Sequence, residues 1–134
     1  MQLANQYQQY KEQALSTLSP GEILIRLYDE LVKQMMLSKI KIDQGDFAAA
    51  NLALGKSQTI VNTLADSLDM RIPISEELRQ MYIFFAKQLL DANLKKDVEI
   101  INDCIMLVKD LREAFSEANK ISRRQQAGVG GRAV

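Results

Sequence analysis

Glu12, Glu22, Glu30, Asp91 and Asp103 are the side chains from which this sequence could most readily build a reactive centre, because carboxylates alone can hold calcium or magnesium. No loop carries the alternating Asp/Asn spacing and central glycine of a calcium-binding hand, so solvated helix faces account for these acids. The 134 residues contain no histidine. That removes the commonest ligand of zinc, copper and iron, the commonest general base near neutral pH, and the Glu-x-x-His pairs of a di-iron bundle. The one cysteine, Cys104, falls between Ile101 and Ile105. It has no partner for an internal disulfide and no glycine-rich turn to present it as a nucleophile, so it reads as a packed thiol. Neither Gly-x-x-x-x-Gly-Lys-Ser/Thr nor Gly-x-Gly-x-x-Gly occurs, and nucleotide phosphates find no cradle. No enzyme activity, cofactor or metal is expected.

What remains is binding. Seventeen basic residues balance seventeen acidic ones, which argues against a strong positive field for nucleic acid. Lys120, Arg123, Arg124 and Arg132 nevertheless lie at the C-terminal end with no acid among them, so a mildly acidic body carries a basic tail. Three arginines among glycines are a weak phosphate-binding signal, and nucleic acid is not an expected partner. No apolar run approaches the roughly 20 residues needed to span a bilayer, so no membrane insertion is expected. The opening stretch, rich in glutamine, lacks the basic and apolar regions of a secretory signal and predicts a cytoplasmic location.

The elements that must position any binding surface are helices. Ser19-Pro20-Gly21-Glu22 has the form of a capping box and predicts a helix over about 20–43, its stripe running through Leu24, Leu27, Tyr28, Leu31 and Met35 to a glycine stop at Gly45. Asp46 predicts the cap of a second helix with Phe47, Ala50, Leu54, Val61 and Leu64 on its apolar face; Gly55 within it suggests close packing. Met70-Arg71-Ile72-Pro73 breaks the pattern. Ser75 predicts the next cap, followed by Glu76 and Glu77 where the helix dipole favours negative charge, and the stripe Leu78, Met81, Tyr82, Phe85, Leu89 and Ala92 ends near Asn93. Asp97 then caps a fourth helix, with Val98, Ile101, Ile105, Val108, Leu111, Phe115 and Ala118 apolar, that fades near Ile121.

Four amphipathic helices joined by short connections predict an all-α, antiparallel up-down four-helix bundle. Residues 1–18 form a separate N-terminal segment, where Leu3, Tyr7, Tyr10 and Ala14 have the spacing of a short amphipathic helix that either lies across the bundle or frays. The bundle occupies residues 19–121, and residues 122–134 read as a flexible basic tail. Apolar positions exceed what one buried arc requires: Met36 and Leu37 in the first helix, and Ile83, Phe84 and Leu90 in the third, fall outside the main stripes. They either thicken the core or line a groove for another helix. A bundle that self-associates as an adaptor or structural subunit, burying this surface in a homodimer, is the alternative to a groove for another protein's helix.

The order Tyr10, Thr17-Leu18-Ser19-Pro20-Gly21-Glu22-Ile23-Leu24, Leu27-Tyr28-Asp29, Ser67-Leu68-Asp69, Leu78-x-x-Met81-Tyr82, Ala92-Asn93, Asp97 and Leu111-Arg112-Glu113 resembles the flagellar secretion chaperone FliS family over residues 7 to 115. The first-helix block is its most specific part. Glu30 stands where the family usually has glycine, Pro73-Ile74 where it has a glycine pair, and Phe115 where it often has tryptophan. The resemblance implies a cytosolic bundle that binds the C-terminal segment of flagellin, prevents premature polymerisation and helps deliver the client to the export gate of the flagellar type III secretion apparatus. It implies that Tyr7 and Tyr10 form an exchangeable lid or client contact and that Leu24 and Leu27 lie near the groove. Tyr28 and Asp29 form either an internal hydrogen-bonded corner or part of the partner-binding surface.

Overall fold

A computed structural model describes residues 20–132, with side chains described as far as residue 125. It contains four helices: α1 (Pro20–Asp43), α2 (Phe47–Asp66), α3 (Ser75–Lys95) and α4 (Val98–Arg132). Each packs against its sequence neighbours, and α4 closes the ring against α1. Short connections make consecutive helices antiparallel, so the molecule is an all-α four-helix bundle.

Its core is the set of stripes read from the sequence. Tyr28, Leu31 and Met35 of α1 meet Leu54, Val61 and Leu64 of α2, Tyr82, Phe85 and Leu89 of α3, and Ile101, Cys104 and Val108 of α4, all almost wholly buried. Removing these apolar surfaces from water supplies the main driving force for association of helices that would be marginal alone. Phe47 departs from its expected place in the core. As the first residue of α2 it sits at the bundle's edge and is half exposed.

The helix ends follow local chemistry. Asp46 Oδ1 accepts a hydrogen bond from the Ala49 amide at 3.1 Å, and Asp97 Oδ1 accepts one from the Glu99 amide at 2.9 Å. Gly45 ends α1 with φ 74°; its amide and that of Asp46 donate to the Ile42 and Lys41 carbonyls, each at 2.9 Å. Lys96 takes the same left-handed conformation after α3, φ 52°, without being glycine. Its ammonium donates to the Asn93 carbonyl at 2.5 Å and to Asn51 Oδ1 on α2 at 2.5 Å, which offsets part of the backbone cost.

Three further expectations are corrected. Ser75 does not cap α3: Ile74 occupies the cap position with helical dihedrals, and the Ser75 hydroxyl turns back to donate to the Asp69 carbonyl at 2.6 Å. Gly55 has open space around its missing Cβ, so no close packing requires it. The close approach lies at Gly21, where a Cβ would stand 2.5 Å from Asn119 Oδ1 of α4. Finally, α4 does not fade near Ile121 but continues to Arg132. The missing apolar stripe removes a reason for burial there, not a reason for helix, because residues 120–127 contain no breaker and Arg123 pairs with Glu22 of α1. The cap expected at Ser19 and the N-terminal segment 1–18 lie outside the described residues.

Candidate functional site

At one end of the bundle the first turns of α1 and α3, the α2–α3 connection and the middle of α4 surround a cleft of about 550 Å³. Ile23, Leu24 and Leu27 form one wall, Leu68, Ile72 and Ile74 another, with Leu78, Tyr82 and Phe115 between them. The connecting segment is held in shape by its own polar groups. Asp69 accepts from the Arg71 amide at 3.0 Å and from its guanidinium at 2.9 Å, which holds the Asp69 carboxyl below the usual carboxylate range. Together with the Ser75 bond to the Asp69 carbonyl, this fixes a non-helical stretch that carries Ile72 and Ile74 half exposed at the cleft.

Beneath the cleft, the hydroxyls of Tyr28 and Tyr82 lie 2.5 Å apart, and the Tyr28 ring stacks on Phe115 with centroids 5.7 Å apart. Burial, with a smaller push from the contact between them, raises the Tyr28 phenol well above its ordinary value, and burial raises Tyr82 against the opposing effect of that contact. Two recesses adjoin on the flank. One is apolar and lies along α1, lined by Val32, Met36, Leu37 and Ile40; the other lies between α1 and α4, and Asp29, ion-paired to Arg112 at 2.7 Å, belongs to both.

Of the residues expected to touch a partner, Leu24 and Leu27 line the cleft and Asp29 the flanking recess. Tyr28, left open between an internal hydrogen-bonded corner and the partner-binding surface, exposes no surface here, and its hydroxyl pairs with that of Tyr82. Tyr7 and Tyr10 lie outside the described residues. Sequence reasoning missed Ile72, Ile74 and Phe115 as cleft residues. Ile72 and Ile74 did carry a signal, since they are apolar residues in a segment with no helical stripe to bury them. Among the described residues no group of three or more His, Cys, Asp or Glu is arranged to hold a metal ion, and no helix is long and apolar enough to cross a membrane. Cys104 is enclosed, and burial pushes its thiol up to about 11, with a smaller contribution from Asp103.

A four-helix ring with an apolar cleft at one end and apolar residues along its flank defines the class as an all-α helical bundle. Within that class the chain belongs to the family described as flagellar protein FliS, whose sequence profile matches residues 3–122. It is 30% identical over 131 residues to the flagellar secretion chaperone FliS of Bacillus subtilis (strain 168), covering 98% of each chain. It is 28% identical over 105 residues to that of Vibrio cholerae, 77% of each chain. With that of Salmonella typhimurium the identity is 27% over 119 residues, 87% of this chain and 88% of the relative.

Proposed function

We propose that this chain is a cytosolic flagellar export chaperone that binds the C-terminal segment of flagellin, keeps it from polymerising early and hands it to the export gate of the flagellar type III secretion apparatus. The observation that carries this reading is the apolar cleft, walled by Leu24, Leu27, Leu78 and Phe115, in a chain whose relatives over nearly its full length are named flagellar secretion chaperones. A disordered amphipathic segment gains order by burying its apolar face on such a preformed surface, and no catalytic group is needed. In this reading Tyr7 and Tyr10 act as an exchangeable cover or touch the client directly.

Calorimetric titration with a flagellin C-terminal peptide tests it. A one-to-one complex with a negative heat-capacity change is expected, because apolar surface leaves water. Leu24→Asp with Leu27→Asp, both at partly exposed positions, should keep the helical signal and weaken binding at least about tenfold. No heat and no co-elution at tens of micromolar overturns the reading, and sedimentation as a dimer that ignores the peptide favours a self-associating adaptor.

A further inference from the structure

On the flank, the ion pair between Asp29 and Arg112 fixes the level of α1 against α4. About one helical turn further along each helix stand Lys33 and Lys109. Lys33 lines the apolar recess along α1, Lys109 lines the adjoining recess between α1 and α4, and Asp29 and Val32 belong to both. Both lysines are exposed, and among the described residues neither has a hydrogen-bond or ion-pair partner. The carboxylates of the two recesses are already engaged. Asp29 Oδ1 accepts from Arg112 Nε at 2.7 Å, and Glu113 Oε1 accepts from Arg112 Nη1 at 3.0 Å. Lys33, Lys109 and Arg112 therefore outnumber Asp29 and Glu113 beside an apolar strip in which Met36 and Ile40 are about half exposed. The same face of a second copy would offer only carboxylates that its own Arg112 holds, so the charge left over here calls for an acid from elsewhere.

We propose that Lys33 and Lys109 are specificity-determining residues that together receive a carboxylate of the client, carried on an amphipathic helix whose apolar side chains cover Val32, Met36, Leu37 and Ile40. The inference rests on the chaperone reading above. It adds that the client is read on the flank as well as held in the cleft. The apolar strip adheres to any apolar helix face, whereas the lysines select a face with an acid beside it and disfavour one with a cation there.

Titration of the full chain with a flagellin C-terminal peptide tests this in a double-mutant cycle. Lys33→Gln with Lys109→Gln, both at exposed positions, should keep the helical signal and weaken binding about fivefold at low salt. A peptide whose Asp and Glu are replaced by Asn and Gln should lose the same factor against wild type and nothing further against the double variant. The difference should shrink in about 1 M salt, where charges are screened beyond roughly 3 Å. Unchanged affinity in the double variant, or losses that multiply when chain and peptide are both changed, overturns the role of the lysines and leaves the chaperone reading standing. So does sedimentation of the wild-type chain alone as a dimer that the two substitutions dissolve, which assigns the strip to a second copy. A wild-type chain that does not bind the peptide at all overturns the chaperone reading, and this inference with it.

Discussion

Because Tyr28 and Tyr82 are enclosed, both hold their protons more tightly in the folded chain than in the unfolded one. An unfolded phenol loses its proton near pH 10, so above about that pH the unfolded state releases protons that the native state keeps. Stability from these groups is therefore complete below about pH 10 and falls as pH rises towards the folded values. Cys104 adds to the slope, from its ordinary thiol range up to about 11. Urea unfolding followed between about pH 9.5 and 11.5 should show stability falling steeply for wild type and less steeply for Tyr28→Phe, which removes one titrating phenol. Identical slopes would mean that the phenols are hydrated in solution. The sequence left Tyr28 and Asp29 undecided together, although they have opposite fates. Adjacent helical residues point about 100° apart, so one enters the core and the other meets Arg112 at the surface. The partner of Tyr28 lies 54 residues away, beyond any local pattern.

Helices were legible to the extent that their ends are written in short-range chemistry. Asp46, Asp97 and Gly45 each act on atoms within a few residues of themselves, and each does what its type and position predict. Glycine within a helix is a different matter, because its meaning depends on what stands opposite it. Gly55 suggested close packing but faces open space, whereas Gly21, unremarkable within its capping motif, lies against Asn119 of α4. This contrast yields a prediction for α2. Gly55→Ala should stabilise the chain by about 1 kcal/mol, since it removes backbone freedom from the unfolded state without a clash. Thermal unfolding should shift upward by about 3–5 °C for a chain of this size. A fall in melting temperature would place something against Gly55 in solution.

Across the whole molecule, three of the four seams in the helix ring join consecutive helices, whose pairing requires closure of a short connection only. The cleft was harder to foresee than the bundle because three helices, α1, α3 and α4, and the α2–α3 connection converge there, and no window of sequence contains that convergence. The same ring has a consequence for the order of folding. The α1–α4 seam joins Asp29 to Arg112 across 83 residues and stacks Tyr28 on Phe115, so its closure costs the most chain entropy and is repaid only once the intervening hairpins exist. That seam should form after the rate-limiting barrier. Stopped-flow measurements on Phe115→Ala should accordingly find unfolding accelerated by most of the roughly 2 kcal/mol lost and refolding almost unchanged. The end of the molecule that carries the cleft should thereby be the last to be assembled and the first to open, the lining of the cleft turning over faster than the core that supports it.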